Sequence, residues 1–535
     1  MDLAAEAERR RTFAIISHPD AGKTTLTEKL LLYGGALHMA GAVKARKASR
    51  HAVSDWMEME KEKGISITSS VLQFDYVGRR MNLLDTPGHA DFSEDTYRTL
   101  AAVDSAVMLV DNAKGVEPRT LRLFEVCRMR KLPVLTYVNK MDRPGLAPLD
   151  LLDSVSQSLD IRTVPFNWPI GEGRDFVGVV NVISREVTLY EKGKPGGVEM
   201  AMERTLHLDD PELTEILGEE RADEVREELE LLEMAGDPWS IEDFLAGDVT
   251  PFFFGSAMTN FGVRPILNAI ADLAPPPRPR PTIAGERDPL DEDFSGFIFK
   301  IQANMNPRHR DRIAFMRVVS GAFERGMAVN LARTDKTIKL AKPHSFMASE
   351  RAIVEDAAPG DIVGLYDPGE LRIGDTLSTG GNLEFQGIPR FAPEHFARVK
   401  LKDPTRRKHL SNGLLQLSQE GTIQMFIREG LGPADPYLGA VGLLQFEVLK
   451  ERLKNEYRVT AELLPSEFTC ARWVGGTQAG LDWLRKRSDF VLVTDRDERW
   501  VVLAETSWKL DYAVSQAPGL ELLDVSPLSD EGLPK

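Results

Sequence analysis

Four short polar motifs in the first half of the chain contain residue types that bind phosphate, metal ions and purine bases. The first is the turn Ser17-His18-Pro19-Asp20-Ala21-Gly22-Lys23-Thr24, which is followed by Thr25. A turn of this kind before a helix directs unpaired backbone N–H groups at an anion, and the helix dipole adds positive potential. Lys23 would then reach the phosphates, and the Thr24 hydroxyl would ligate Mg²⁺. On these residues alone, a glycine turn with an exposed lysine is an equal alternative, because Ser17 stands where the usual pattern has Gly.

The second motif, Asp85-Thr86-Pro87-Gly88-His89, follows the short apolar strand Met81–Leu84. An acid at the carboxyl end of a strand, followed by a glycine turn, is typical of the place where a nucleotide-binding sheet presents groups to Mg²⁺ and the terminal phosphate. An ordinary loop has the same composition. The position of this motif after the phosphate loop favours the nucleotide interpretation.

The third and fourth motifs concern the base. In Asn139-Lys140-Met141-Asp142, the Asp142 carboxylate can accept hydrogen bonds from the ring N–H and the amino group of guanine, which adenine cannot supply. Asn139 can brace the loop and contact the base, and the Lys140 stem can pack over the ring. Further along, Gly255-Ser256-Ala257 can offer backbone N–H groups to the guanine carbonyl, so we predict that Ser256 and Ala257 complete a site for GTP or GDP.

Elements with buried character must position these motifs. The apolar runs Thr12–Ile16, Ser105–Val110 and Pro133–Val138 are continuous, which is typical of strands covered on both faces of a parallel sheet. Asp142 and Ser256 are separated by 113 residues, much more than one crossover requires. The sequence therefore predicts an inserted subdomain at about residues 167–248, with strands at Phe176–Val180 and Glu186–Tyr190 and acidic helices after them.

Charge is distributed unevenly. The formal net charge is −16, yet Asp209–Asp248 contains sixteen acids and two arginines, a net of −14, so the remaining residues sum to −2. The acidic stretch is explained equally well as a solvated helical face and as a docking surface for a basic partner. Three basic segments are candidate phosphate contacts or simply solvated turns: Arg308-His309-Arg310-Asp311-Arg312, Arg406-Arg407-Lys408-His409 and Arg485-Lys486-Arg487.

A stiff proline-rich stretch, Ala274–Pro281, predicts that a first domain occupies residues 1–280. Residues 281–388 then contain short strand candidates separated by turns, which predict a small closed β-barrel: Phe294–Ala303, Arg312–Ser320, Thr337–Leu340 and Asp361–Leu365. Residues 389–535 alternate in character and predict an α+β domain with a loose tail. Its predicted elements are strands at Phe396–Leu401, Thr422–Ile427 and Tyr457–Ala461 and helices at His409–Gln419 and Phe446–Glu456.

Composition excludes several classes. No apolar run approaches the ~20 residues of a membrane span, and Met1–Arg11 does not have the pattern of a secretory signal. Cys127 and Cys470 are distant in sequence and lack metal-ligand spacing, so they are expected to be core thiols rather than a disulfide framework. We therefore expect a cytoplasmic protein without a membrane partner; separately, we expect a monomer.

The ordered motifs, together with Gly64-Ile65-Ser66-Ile67-Thr68 before Asp85 and with His89 after Gly88, resemble the signature of translational GTPases. The layout, and stretches such as Ser54–Glu60 and Gly439–Phe446, resemble the bacterial peptide chain release factor 3 family. The resemblance covers nearly the whole chain. It implies a multidomain α/β fold, in which a P-loop GTPase domain with an inserted subdomain is followed by a β-barrel and a C-terminal α+β domain.

The resemblance also implies a reaction, which is ribosome-stimulated GTP hydrolysis that removes a first-class release factor after peptide release. It implies that Asp20–Thr25 hold the phosphates, that Thr24, Thr68 and Asp85 serve Mg²⁺, with Asp85 acting through a water molecule, and that Gly88 senses the γ-phosphate. His89 is expected to orient the attacking water. Expected partners are the ribosome with its RNA and the release factor, and an alarmone is expected to share the nucleotide site.

Two alternatives remain open from the sequence. An elongation-factor-like translocation GTPase shares the front half, although elongation factor G carries further C-terminal domains and elongation factor Tu lacks the insertion. A binding protein that senses guanine nucleotides, with incidental hydrolysis, is the second alternative. Turnover that the ribosome cannot raise would favour that second class.

Overall fold

The computed structural model describes residues 1–36, 69–191, 200–303, 312–340, 343–347, 350–381, 383–386, 388, 390–428, 435–527 and 533–534. The contacts divide the chain into two compact units. The first unit is Met1–His89, Ala102–Arg278 and His344–Ile362, and the second is Ala90–Ala101, Pro279–Pro343 and Val363–Lys535. The predicted segment Gly64–Thr68 and most of the predicted tail lie outside the described residues.

Up to residue 273, the chain contains both helices and strands. The helices are α1 (Leu3–Arg9), α2 (Lys23–Tyr33), α3 (Ser93–Leu100), α4 (Pro118–Met129), α5 (Pro148–Leu159), α6 (Pro211–Leu217), α7 (Glu219–Ala235), α8 (Ile241–Ala246) and α9 (Val263–Leu273). The strands are β1 (Arg10–Ser17), β2 (Ser70–Tyr76), β3 (Arg79–Asp85), β4 (Ser105–Asp111), β5 (Val134–Asn139), β6 (Arg162–Pro165), β7 (Asn167–Ile170), β8 (Gly178–Asn181), β9 (Glu186–Tyr190), β10 (Glu203–His207) and β11 (Val249–Phe254).

After residue 273, strands predominate. They are β12 (Arg280–Thr282), β13 (Gly285–Arg287), β14 (Ser295–Ala303), β15 (Arg312–Ser320), β16 (Phe323–Glu324), β17 (Ala328–Leu331), β18 (Lys336–Lys339), β19 (Pro343–Met347), β20 (Glu350–Ile353), β21 (Asp356–Ala357), β22 (Ile362–Tyr366), β23 (Thr376–Ser378), β24 (His395–Leu401), β25 (Gln424–Arg428), β26 (Tyr437–Ala440), β27 (Ala461–Pro465), β28 (Cys470–Gly476), β29 (Val491–Thr494), β30 (Trp500–Ala504) and β31 (Leu520–Leu523). The helices are α10 (Arg407–Gln419), α11 (Leu443–Tyr457), α12 (Gln478–Arg485) and α13 (Ser507–Gln516).

The main sheet of the first unit has the strand order β2-β3-β1-β4-β5-β11-β6. Strand β2 is antiparallel to β3, and the ladders from β3 to β6 are parallel. The predicted strands at Thr12–Ile16, Ser105–Val110 and Pro133–Val138 are β1, β4 and β5, and all three are buried along their length. Because parallel strands end at one edge, the motifs that follow β1, β3, β5 and β11 are brought to that edge.

The predicted insertion follows β6 and forms its own antiparallel sheet, in the order β10-β9-β8-β7. The predicted strand Glu186–Tyr190 is β9, whereas the strand predicted at Phe176–Val180 begins later, as β8 at Gly178. Glycine at residue 178 lies against the backbone of β9, where a Cβ would come within 2.5 Å of the Thr188 carbonyl oxygen. Helices α6 and α7 then carry the acidic stretch.

In the second unit, β14 and β15 coincide closely with the predicted strands at Phe294–Ala303 and Arg312–Ser320 and pair antiparallel. Strands of this segment follow the order β18-β17-β23-β14-β15-β22. The C-terminal sheet has the order β27-β24-β26-β25-β29-β30-β28-β31. Helices α10 and α11 pack on its first half and α12 and α13 on its second, so the α+β prediction is confirmed.

The strand predicted at Tyr457–Ala461 is wrong. Helix α11 continues through Tyr457, and Arg458 ends it in the left-handed region at φ 55°. The Tyr457 hydroxyl donates to Gln416 Oε1 at 2.7 Å, and its ring packs with the core between α10 and α11. These contacts override the strand preference of Tyr and Val, and β27 begins only at Ala461.

Candidate functional site

The phosphate-loop motif connects β1 to α2, as predicted. Gly22 immediately precedes α2 and has φ +98°, and Asp20 has φ 65°, so the chain curls back on itself before Lys23. Thr24 and Thr25 lie half-buried in the first turn of α2. The first backbone N–H groups of α2 are therefore placed where a helix binds an anion.

Ser17 occupies the position at which the sequence departs from the usual glycine. It is the last residue of β1, is 2% exposed, and is not among the residues with positive φ. Its hydroxyl finds no hydrogen-bond partner among the described residues. The left-handed geometry falls on Asp20 and Gly22 instead, which explains why a serine is accommodated without backbone strain at residue 17.

Lys23 and Asp85 form a buried ion pair across this edge of the sheet. Lys23 Nζ donates to Asp85 Oδ1, and the two side chains are 6% and 2% exposed. The pair forms because β1 and β3 are parallel, with Ile15 in register with Asp85. Next to it, the Thr86 hydroxyl donates to the Ile15 carbonyl oxygen at 2.7 Å, which fixes the start of the second motif. The lysine predicted to bind phosphate and the carboxylate predicted to serve Mg²⁺ are thus adjacent.

The rest of the second motif continues along the same edge. Arg119 Nη2 donates to the Pro87 carbonyl oxygen at 3.4 Å. Gly88 lies close to the phosphate loop, since a Cβ on it would be 3.9 Å from Pro19 Cα. His89 is half-buried and is the last residue of the Met1–His89 segment of the first unit. Thr68, predicted to serve Mg²⁺, lies outside the described residues.

Asn139 joins the predicted phosphate loop to the two loops that are predicted to bind the base. Its Nδ2 donates to the Ala21 carbonyl oxygen at 2.8 Å, and its Oδ1 accepts from the Ala257 N–H at 2.9 Å. Asn139 is 2% exposed, and a Cβ on Gly22 would lie 2.3 Å from its Nδ2. One buried amide therefore holds three of the four predicted motifs together.

Asp142 and Ser256 meet although they are far apart in sequence. Ser256 Oγ donates to Asp142 Oδ1 at 2.6 Å, and the Met141 N–H donates to the Gly255 carbonyl oxygen at 3.1 Å. The backbone N–H of Ser256 donates to the Phe261 carbonyl oxygen at 2.8 Å, as the Ala257 N–H does to Asn139. Since the Ala257 N–H already donates to Asn139, a guanine carbonyl could accept from it only if the two acceptors share that N–H.

Two acids of this region were not predicted. Lys140, at φ 70°, reaches Asp111 with 2.6 Å between Nζ and Oδ2. Burial opposes ionisation of Asp111, but the Lys140 and Ala113 hydrogen bonds outweigh it, so the pKa of Asp111 lies below its usual value. Glu117 lies 3.2 Å from His18 Nε2. Asp111 could have been found as an acid ending a buried strand, whereas Glu117 carries no sequence signal.

The segment that follows His89 belongs to the second unit. Within that unit, Asp91 Oδ2 accepts from the Leu444 N–H at 2.7 Å, at the first turn of α11. On α3, Arg98 and Glu94 form an ion pair at 2.6 Å with side chains only 4% and 3% exposed. Gly442 is needed here, because a Cβ would lie 2.0 Å from Asp91 Cγ. The chain thus leaves the second motif directly into a tightly packed helix of the other unit.

The predicted basic segments differ in character. Arg312 is buried and pairs with Asp367 at 2.8 Å, so it supports the strand β15 rather than a surface contact. Residues 308–311 lie outside the described residues, and Arg407, Lys408 and His409 are exposed at the start of α10. No helix among the described residues is long and apolar enough to cross a membrane.

Comparison with known proteins accounts for all three parts of the chain. Residues 8–276 match the family described as elongation factor Tu GTP binding domain, residues 293–380 match elongation factor G domain 2, and residues 385–514 match the C-terminal domain of class II release factor RF3. A crystal structure of a protein from Thermus thermophilus superposes with a TM-score of 0.66 at 23% identity, covering 91% of this chain and 72% of that one. The predicted fold class is therefore confirmed.

Curated relatives match over nearly the full length. The peptide chain release factor 3 of Symbiobacterium thermophilum is 55% identical over 97% of this chain and 98% of its own. Those of Microcystis aeruginosa and Acaryochloris marina are each 51% identical, over 98% and 99% of this chain and 96% and 97% of their own. These matches and the C-terminal family do not favour the elongation-factor and nucleotide-sensor alternatives. The chain belongs to the peptide chain release factor 3 family, and it is a guanine-nucleotide-binding GTPase of translation termination that interacts with the ribosome.

Proposed function

We propose that this chain hydrolyses GTP at the edge of the main sheet and thereby promotes dissociation of a first-class release factor from the ribosome after peptide release. The observation that supports it most directly is the Asn139 bridge, with hydrogen bonds to Ala21 and Ala257. Because Asn139 connects the predicted phosphate loop to a predicted base loop, a single ligand that has both phosphates and a base could stabilise both loops at once. The proposed place of action is the cytoplasm.

In this proposal, the backbone of Asp20–Thr25 and the Lys23 ammonium hold the phosphates. Lys23 exchanges its partner Asp85 for phosphate oxygens when the nucleotide binds. The Thr24 hydroxyl and the Asp85 carboxylate provide the hard oxygen donors that suit Mg²⁺, with Asp85 acting through water. Bound Mg²⁺ would neutralise charge on the phosphates. Thr68 is proposed as a further oxygen donor to this ion.

Guanine specificity is assigned to Asp142, whose carboxylate can accept from the base while Ser256 holds it in place at 2.6 Å. The Ala257 N–H is proposed to share its hydrogen bond between Asn139 and the guanine carbonyl. The Lys140 stem is proposed to cover the ring, with its ammonium held by Asp111. An alarmone with a guanine base would use the same contacts.

Gly88 and His89 are proposed to read and act on the γ-phosphate. The Gly88 N–H would sense that phosphate, and His89 would orient the attacking water, because phosphoryl transfer depends mainly on positioning and electrostatics. The chain then enters α3 directly. We also propose that the protein is a monomer of three domains, at about residues 1–280, 281–388 and 389–535, with an inserted subdomain at about 167–248.

The experiment compares GTP turnover by the wild type and by His89→Ala, with and without terminated ribosomes that carry a release factor. We expect His89→Ala to bind GTP normally and to lose roughly 100-fold or more of the stimulated rate. His207→Ala is the matched control, because the His207 side chain is 53% exposed in the insertion. Stimulated turnover by His89→Ala at the wild-type rate would contradict the role of His89, and turnover that ribosomes cannot raise in the wild type would contradict the proposed function.

A further inference from the structure

Two aromatic rings are stacked on the exposed face of α13. Trp508 and Tyr512 are four residues apart, so they lie on the same side of the helix. Their ring centroids are 5.6 Å apart and their planes differ by 15°. Trp508 is 69% exposed and Tyr512 is 38% exposed, whereas Leu510 and Ala513 are buried. We call Trp508 and Tyr512 the aromatic platform; Trp is highly buried on average in folded proteins, so a Trp ring left exposed and stacked on a second exposed ring is informative.

Guanidinium groups stand beside these rings and their neighbours. Arg487 is held by two hydrogen bonds to Asp489, both 2.9 Å, and lies 5.9 Å from the Tyr512 ring centroid and 4.7 Å from that of Trp483. Arg485 lies 4.6 Å from the Trp500 ring centroid. Arg485 and Arg487 of the predicted basic segment therefore pack their guanidinium planes against aromatic rings, rather than extending into solvent as phosphate contacts would.

The local charges favour stacking over a general attraction to phosphate. The two segments that carry the platform and the arginines beside it, residues 482–489 and 505–512, contain four cations and four acids, and several of them form ion pairs; the cations are Arg485, Lys486, Arg487 and Lys509, and the acids are Asp482, Asp489, Glu505 and Asp511. A neutral patch with exposed flat rings and guanidinium planes is suited to unpaired nucleobases, which bind through their π-faces.

We propose that the aromatic platform is a stacking site for an unpaired base of ribosomal RNA, with the outer face of Trp508 covering the base. The proposal uses the ribosome as the partner and goes beyond GTP hydrolysis, because the platform lies on α13 in the second unit and shares no residue with the nucleotide motifs. Lys486, exposed at the end of α12, is available for a neighbouring phosphate.

The test uses the full-length protein and a labelled, unstructured single-stranded RNA of mixed sequence, with affinity measured by fluorescence anisotropy. Trp508→Ala should weaken binding by roughly 5- to 150-fold, the range expected for loss of one base–aromatic stack. Trp508→Phe, which keeps a flat ring, should retain most of the affinity. Met129→Ala removes a side chain that is 70% exposed in the first unit and should change nothing.

Salt dependence separates stacking from charge contacts. A stacking contact releases no counterions, so the slope of log affinity against log salt concentration should be the same for Trp508→Ala and the wild type. Cross-linking by ultraviolet light on terminated ribosomes should attach a ribosomal RNA nucleotide to the peptide that contains Trp508. Equal RNA affinity of Trp508→Ala and wild type would overturn the proposal, as would a cross-link from this peptide to a protein.

Further controls identify other occupants. If light scattering detects a dimer that Trp508→Ala dissociates, the platform is an interface between copies and the proposal fails. GTP turnover without ribosomes should be equal in all variants, because none changes the nucleotide motifs. If RNA binding depends on Trp508 but ribosomes do not stimulate GTP turnover, the proposed function is refuted and the proposal for the aromatic platform is still supported.

Discussion

The substitution Asp85→Asn is predicted to destabilise strongly, when no nucleotide is bound, the edge of the main sheet where β1 and β3 end. It removes one charge from an ion pair whose members, Lys23 and Asp85, are 6% and 2% exposed. Breaking a buried pair from one side typically costs about 3–5 kcal/mol, because the remaining charge stays buried without compensation. Asparagine keeps an oxygen that can accept from Lys23, so we expect a loss at the lower end, about 3 kcal/mol.

Hydrogen exchange measured by mass spectrometry is the suitable assay, because a multidomain chain has no single free energy of unfolding. Where exchange follows opening of this edge, a loss of about 3 kcal/mol corresponds to roughly 100-fold faster exchange in β1 and in the first turns of α2. Saturating GDP should reduce the difference between Asp85→Asn and the wild type, because the phosphates supply a new negative partner for Lys23.

Asp75→Asn is the matched control, because it breaks the Asp75–Arg80 pair between β2 and β3 of the same sheet, at the other end of β3 from Asp85. That pair is 3.2 Å long with side chains 63% and 27% exposed. Exposed pairs contribute about 0–1 kcal/mol, so exchange should rise no more than about fivefold. Equal effects of the two substitutions, or a defect in Asp85→Asn that GDP does not reduce, would refute the reasoning that Lys23 is a buried cation awaiting phosphate.

Two further predictions concern stability elsewhere. Burial, with a smaller contribution from Glu224, raises the pKa of Glu228, whose carboxylate accepts a hydrogen bond from Trp168 Nε1 at 2.8 Å. Because the folded state binds this proton more tightly than the unfolded state does, the stability that Glu228 contributes is complete at low pH. It is lost as the pH rises through the pKa of Glu228 in the folded protein. Hydrogen exchange in β7 and in α7 around residue 228 should be slower in Glu228→Gln than in the wild type at pH 8, with the difference narrowing towards pH 4. Asp91→Ala should remove the acceptor for the Leu444 N–H, a loss of about 1 kcal/mol that speeds exchange in the first turn of α11 about fivefold, whereas Asp91→Asn should not.

The sequence predicts the main sheet well because its signals are local. Ser105 is followed by the unbroken apolar run Ala106–Val110, a pattern that is typical of a strand covered on both faces of a parallel sheet. The motif at each strand end then follows from the rule that parallel strands end at one edge. By contrast, the sequence pattern places Tyr457 in a strand, because its contacts with α10 across the core cannot be read from its neighbours in sequence.

The sequence predicts which motifs lie at this edge of the sheet, but it does not predict which of their side chains contact one another. The motif order identifies Asn139, Asp142 and Ser256, yet nothing local indicates that Asn139 spans two loops or that Asp142 and Ser256 touch across the insertion. The pairing of Lys140 with Asp111 likewise depends on β4 and β5 being neighbours. The sequence also does not explain how serine is accommodated at residue 17. The backbone angles explain it, because the left-handed conformations fall on Asp20 and Gly22.

The central claim is that nucleotide recognition at this site drives release-factor dissociation. The most direct measurement follows a fluorescent first-class release factor leaving post-release ribosomes, with GTP or XTP supplied to the wild type and to Asp142→Asn. Since xanthine has a carbonyl where guanine has its amino group, Asp142→Asn should work with XTP and fail with GTP, and the wild type should do the reverse. Dissociation by the wild type that proceeds equally with either nucleotide, or by Asp142→Asn with GTP at the wild-type rate, would contradict the account.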